Sequence, residues 1–137
     1  MWFMAIATSR SSMRYPQRTL DRAERAVRCA PFRLSLYQTM IIRSVDLAEI
    51  SGRSGVDHGY VRKPMTELLV EAELLWLIQV GLLRREVDGQ GLTNSFRVTP
   101  LGRQLVDKWH NLGKVELSAT FRDRLYNAVS RWLRLPF

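Results

Sequence analysis

Residues 74–109, LLWLIQVGLLRREVDGQGLTNSFRVTPLGRQLVDKW, decide how this chain is read. A dense apolar segment runs to Val80 and stops at Gly81, as a buried helix does at a glycine terminator. LLRREV then reads as a strand, and Asp88-Gly89-Gln90-Gly91 as a hairpin turn, since Asp-Gly accommodates the backbone such a turn requires. NSFRVT returns with Phe96 and Val98 alternating against Ser95 and Arg97, which gives one packed and one wet face. Thr99-Pro100 opens a further helix with a capping hydroxyl and a first-turn proline. Leu101, Leu105, Val106 and Trp109 follow at helical spacing. The pattern predicts a mainly α fold with a small β-hairpin.

Upstream of this stretch, a helix is expected from Pro64 to about Val80. Its apolar residues exceed one face, so more than one side must be covered, by the terminal helices or by a second subunit. Trp76 is expected in the core. The charges on this helix are Glu67, Glu71 and Glu73. Before it, VDHGYVRK offers His58, Tyr60, Arg62 and Lys63, but Gly59 and Pro64 interrupt any helix through them. Gly52 and Gly55, in SGRSG, are read as a sharp turn with positive φ. Ser44 is expected to cap a short helix, VDLAEIS, that buries Leu47, Ala48 and Ile50. PFRLSLYQTMIIRS reads as a helix from Pro31, with Leu34, Leu36, Tyr37, Met40 and Ile41 inside. A short helix, a glycine turn and a following helix together make a helix-turn-helix signal.

The ends of the chain are basic. Residues 1–17 show no lasting periodicity and read as a flexible tail, and Met13 is an alternative start. A helix then opens at Thr19 or Arg18, buries Leu20, Ala23, Ala26 and Val27, and ends at Pro31. Asp21–Arg25 and Glu24–Arg28 are oppositely charged i,i+4 pairs. Arginines recur at 10, 14, 18, 22, 25 and 28, either as an arm laid along phosphates or as a solvated face. A last helix is expected from about Glu116, with Leu117, Phe121, Leu125, Val129 and Trp132 or Leu133 as its apolar stripe. Arg122, Arg124, Arg131 and Arg134 lie off that stripe. It can serve as a homodimer contact through the terminal helices, as a basic amphipathic helix on a membrane surface, or for docking onto the body, and Asp123 and Glu116 in its basic face favour docking or dimerisation. The whole reads as one domain over 18–137 with a core at about 31–111.

The 137 residues carry a formal net charge of +8, which suits an acidic partner. Cys29 is the one cysteine, so an internal disulfide is impossible and the residue reads as small and partly buried. The seven-residue apolar start lacks the basic flank of a signal peptide, and no stretch approaches the ~20 apolar residues of a spanning helix, so no membrane partner and a cytoplasmic location are expected. His58 and His110 lie in separate segments without metal-ligand spacing. No catalytic constellation, metal site or cofactor motif is found, and the chain is read as a non-enzyme.

LLWLIQVGLLRRE followed by FRVTPLGRQLV resembles the shared pattern of winged helix-turn-helix proteins. The resemblance spans roughly Leu34 to Trp109 and implies that fold, with extra N- and C-terminal helices. It is similar both to transcription regulators of the MarR and PadR kind and to the dimerisation domains of plant-type O-methyltransferases, which do not bind DNA. The whole chain, including RAERAVRCAPFRLSL, is also similar to a small family of uncharacterised cyanobacterial proteins. The first reading is therefore a regulator that binds double-stranded DNA. Arg53, Arg62, Lys63, Arg84, Arg85 and Arg97 would contact phosphates, and His58 and Tyr60 are the candidates for base contact. The alternative is a protein-interaction or dimerisation module. Charge divides the two readings: residues 1–33 carry seven arginines against two acids, whereas residues 34–83 carry four basic against six acidic groups. A basic surface joining residues 53–63 to the hairpin would favour DNA, and an exposed apolar groove would favour a protein partner.

Overall fold

The structure, a computed structural model, describes residues 15–113 and 120–133. The expected tail, including Arg10 and Arg14, lies outside the described residues apart from 15–17, and so do Leu117 and Arg134. Among the described residues seven helices surround a three-stranded antiparallel sheet. The first helix, α1 (Gln17–Cys29), begins directly after Pro16, slightly before the expected Arg18 or Thr19. Its buried face is Ala23, Ala26 and Val27, with Leu20 half-buried. Arg28 pairs with Glu24 at 3.9 Å as expected, while Asp21 accepts from the Gln17 amide at 2.8 Å.

The next helix, α2 (Leu34–Ile42), starts three residues later than its apolar pattern suggests. Pro31 does not open it, because Phe32 is drawn into an antiparallel bridge with Val61 and the Arg33 amide donates to Tyr60 O at 2.8 Å. Leu34, Leu36, Tyr37 and Met40 form the heart of the core. The stretch after Ser44 also differs from expectation. Val45–Asp46 is a short strand, β1, and the helix α3 (Leu47–Ile50) begins only after it. Its N-cap is Asp46, whose amide is held by the Glu49 carboxylate at 2.9 Å, so Ser44 is not the cap. Ala48, expected inside, is exposed, while Leu47 and Ile50 are buried.

Gly52 begins α4 (Gly52–Asp57) at φ +62° and supplies the expected turn. Gly55 is used differently. It is helical, and a Cβ there would lie 1.9 Å from Ile50 O, so it permits the close packing of α4 on α3. The long helix α5 (Glu67–Gln79) begins three residues after the expected Pro64 because Thr66 is its cap, its hydroxyl accepting from the Leu69 amide at 3.2 Å. Gly81, at φ +89°, ends the run as expected.

The hairpin is β2 (Leu83–Asp88) and β3 (Gly91–Val98), with Asp88 opposite Gly91 and an irregularity between Arg85 and Val87. β1 adds to its far edge, Val45 opposite Phe96, giving the order β1-β3-β2. Thr99 caps α6 (Pro100–Asn111), accepting from the Gly102 amide at 3.1 Å. Leu101, Leu105, Val106 and Trp109 are buried as their spacing predicts. The last described helix is α7 (Phe121–Leu133). Thr120 caps it reciprocally with Asp123: the Thr120 hydroxyl accepts from the Asp123 amide at 3.1 Å, and the carboxylate accepts from the Thr120 amide at 3.2 Å. Among the described residues no helix is long and apolar enough to cross a membrane.

Candidate functional site

Two surfaces carry unusual chemistry. The first is a basic platform formed by α4 and the loop that follows it. The loop is pinned to the body: the Gly52 amide donates to Met65 O at 2.7 Å, the Tyr60 amide to Gly55 O at 2.8 Å, and the Ser35 hydroxyl to Gly59 O at 2.6 Å. These bonds fold the segment holding Arg62 and Lys63 back beside the start of α4, where Arg53 lies. Arg53, His58, Arg62 and Lys63 are all exposed. The His58 ring lies 5.3 Å from the Tyr60 ring at 12°, and its Nδ1 bonds to Ser54 O at 2.7 Å. Tyr60 itself is only 4% exposed. Its ring belongs to the core and supports His58 from beneath, which corrects the expectation that it offers itself to a base.

The second surface lies on α5 and α7. The buried face of α5 is Val70, Leu74 and Leu77, with Trp76 beside it. Its outward stripe is Leu68, Ala72, Leu75 and Gln79, all exposed at i, i+4, i+7 and i+11. Leu68 is 77% exposed, and Leu69 beside it is also open.

Polar pegs, and not an apolar face, hold α7 against α5 and α1. Trp76 Nε1–H donates to Asn127 at 3.0 Å. Arg131 donates from Nη1 to both Glu73 oxygens at 3.2 Å and from Nη2 to Ala72 O at 3.4 Å. On the α1 side, Arg28 reaches Asp123 at 3.7 Å, and the Arg25 guanidinium lies 5.4 Å from the centre of the Tyr126 ring. The helical stripe predicted for α7 is present but faces outward: Phe121 and Trp132 are each 81% exposed, and Leu125 is exposed between them. Docking of α7 through that stripe is thus corrected. Ala72, Leu75, Trp76, Gln79, Arg131 and Trp132 line an open cleft of about 310 Å³ where the two helices meet.

The docked helix leaves a mark on α1. Burial pushes the Cys29 thiol upward from its ordinary range, and the Asp123 carboxylate on α7 adds to the effect. For Asp123, partial burial works upward, but the Thr120 amide and the Arg28 charge outweigh it and leave its carboxyl below the usual range. The basic recurrence in α1 accordingly has a structural use at Arg25 and Arg28, which hold α7.

The family model described as Npun_F0494-like matches residues 13–131. The chain belongs to the Npun_F0494-like family. No curated protein and no solved structure matches it. The matched span includes the platform, all of α5 and α7 up to Arg131, so both surfaces lie almost wholly within the region the family model describes.

The hairpin arginines predicted to contact phosphate have partners within the fold. Arg84 pairs with Glu86 at 3.3 Å. Arg85 is half-buried with its guanidinium 5.1 Å from the centre of the Phe96 ring. Arg97 donates to Ile41 O and Ile42 O, at 3.1 and 3.3 Å, and lies 3.6 Å from Glu86. That places a cation on the last carbonyls of α2, where it suits the helix dipole. The tip of the hairpin instead shows Val87 and Leu92, paired across the strands and both exposed. Of the eight predicted residues, the fold gathers Arg53, His58, Arg62 and Lys63 into one exposed surface. Reading the sequence missed the outward stripes of α5 and α7 as a joint surface. The excess of apolar residues around α5 was the available signal.

Proposed function

We propose that this chain is a winged-helix interaction module whose α5 meets a protein surface instead of reading base edges. The order α2, β1, α3, α4, α5, hairpin supports the winged-helix reading, because it follows a helix-turn-helix with a β-hairpin. In that reading α5 occupies the place of the helix that enters the major groove. The observation that carries the proposal is its outward chemistry. Leu68, Leu69, Ala72 and Leu75 face solvent, and the charges on the helix are three glutamates. Phosphates attract Lys and Arg, so an apolar face flanked by carboxylates gains nothing from a duplex and gains much from apolar cover.

A second reading, a DNA-binding regulator, is favoured by the platform of Arg53, His58, Arg62 and Lys63 and by the net charge of +8. Its contacts would be mainly to phosphate, which position a protein without specifying sequence. Binding to random duplex DNA across a salt series separates the two. The interaction-module reading expects weak binding, flattened by Arg62→Ala with Lys63→Ala and indifferent to Leu68→Glu. Sequence-selective binding that Leu68→Glu abolishes would overturn it and establish the regulator.

A further inference from the structure

We propose that the partner of the α5–α7 surface is a second copy of this chain, the same face covering itself about a two-fold axis near Leu75 and Trp132. This rests on the interaction-module reading and names its occupant.

The surface has the size of a dimer interface. Leu68, Leu69, Leu75, Phe121, Leu125 and Trp132 are exposed on two neighbouring helices. Monomers seldom show an apolar patch beyond a few hundred Å². A fully exposed aromatic side chain alone presents ~200 Å², so these groups approach the ~800 Å² per partner of a standard interface.

The surface is also complementary to itself. Glu73 contacts Arg131 while Trp76, one turn further along α5, contacts Asn127, one turn earlier on α7. The two helices therefore run antiparallel. A two-fold axis through their shared face would set two antiparallel pairs together as a four-helix packing, with each apolar stripe against one of its partner's. The charges agree with that arrangement. Beyond the internal Glu73–Arg131 and Arg28–Asp123 pairs, α5 carries Glu67 and Glu71, whereas α7 carries Arg122 and Arg124. A half-turn about an axis parallel to the two helices brings the acidic helix of one copy toward the basic helix of the other. A partner of unrelated sequence would have to supply both signs and both stripes, and this chain already holds them on one face.

The polar docking of α7 fits the same purpose. A helix that buried its apolar stripe against its own body would have none left to offer. Here Asn127, Arg131, Asp123 and Tyr126 hold the helix in place and leave Phe121, Leu125 and Trp132 free of that task.

The test is sedimentation velocity of the full chain from low to high micromolar concentration at physiological salt, with Leu75→Arg and Trp132→Glu measured separately and each checked by thermal melting. The expected result is a species of twice the 15.9 kDa chain mass, and a dissociation constant raised at least tenfold by either variant with the melting curve of the monomer intact. Glu67→Lys and Arg124→Glu, each weakening association alone, are expected to recover part of it when combined. A wild-type chain that stays monomeric throughout overturns the second copy as occupant while leaving the module reading to the DNA salt series. A dimer that persists in both variants places the contact elsewhere and overturns the proposal. Loss of sequence-selective DNA binding in Leu68→Glu would be the separate failure of the underlying reading.

Discussion

Replacing Arg131 by alanine tests the idea that α7 is held by polar pegs. In the native fold the guanidinium donates to both oxygens of Glu73 and to Ala72 O, and it lies 6.0 Å from the centre of the Trp76 ring. Both charged side chains keep more than a quarter of their exposure. Solvent therefore screens the pair, and an exposed ion pair of this kind contributes about 0–1 kcal/mol. The added bond from Nη2 to Ala72 O and the aromatic contact raise the total to about 1–2 kcal/mol. The carboxylate of Glu73 can return to water in the variant, so no large penalty of an orphaned charge is added. Because α7 lies on the outside of the fold with Phe121, Leu125 and Trp132 exposed, the loss falls on local opening of α7 and not on the global transition. The opening constant should rise by a factor of roughly 5–30. Amide hydrogen exchange reads this directly: the protected amides of α7 exchange faster by that factor, and those of α2, α5 and α6 stay as they were. Arg131→Lys, which keeps the charge but not the fork, is expected between the two. Unchanged α7 exchange in Arg131→Ala would refute the peg account, and so would equal acceleration through the whole chain.

Cys29 provides an independent reading of the same event, since its thiol is pushed upward by burial and by Asp123. It should react slowly with a disulfide reagent at neutral pH and faster in Arg131→Ala, followed by absorbance of the released thiol. Tyr37 is wholly buried, and among the described residues its hydroxyl has no hydrogen-bond partner. Burial, aided by Glu73, also drives its phenol far from ionisation. Tyr37→Phe should therefore leave stability unchanged or raise it by up to about 1 kcal/mol, measured by urea denaturation, whereas loss of the same amount would reveal a partner for the hydroxyl. Gly55→Ala should cost about 3 kcal/mol despite alanine's helix propensity, because the new Cβ meets Ile50 O, while Gly52→Ala, in open space at φ +62°, should cost only about 1–2 kcal/mol by the same assay. The bonds from Arg43 and from the Asp46 amide lower the Glu49 carboxyl below its ordinary 4.5, so its contribution is complete above that value and is lost as the pH falls through the lowered folded value. Glu49→Gln should remove that part of the acid dependence in pH-resolved melts.

The elements of the central stretch were legible because each is determined locally. Gly81 ends a helix, Asp88 and Gly89 turn a hairpin, and Thr99-Pro100 starts a helix, and none of these needs information from elsewhere in the chain. Strand β1 was not legible. Val45 and Asp46 have no strand pattern of their own and become extended only because Phe96 and Ser95 lie beside them. The late start of α2 has the same kind of cause, since Phe32 is claimed by Val61, 29 positions away. Gly55 looked like a turn residue because a glycine needed for close packing and one needed for positive φ are identical in sequence.

The site residues divide in the same way. Arg53 in the short α4 and Arg62 and Lys63 in the loop after it are exposed as charged residues usually are, and this was readable. Glu86 lies two residues from Arg84 on the same strand, but the partners of Arg85 and Arg97 were not readable, because Phe96, the cross-strand Glu86 and the end of α2 reach them only through the sheet register and the packing of α2. The surplus of apolar residues on α5 signalled that a second side needed cover. Which residues were left over could be seen only after α7 had taken the side of Trp76 and Glu73.

The most direct test of whether α5 serves protein or DNA is an amide-resolved titration of the isotopically labelled chain with duplex DNA at low salt. Shifts confined to the platform, at Arg53, His58, Arg62 and Lys63, are expected, with residues 67–79 unmoved. Saturable shifts centred on Leu68, Leu69 and Ala72 would contradict that expectation, because the outward face of α5 would then be in the groove.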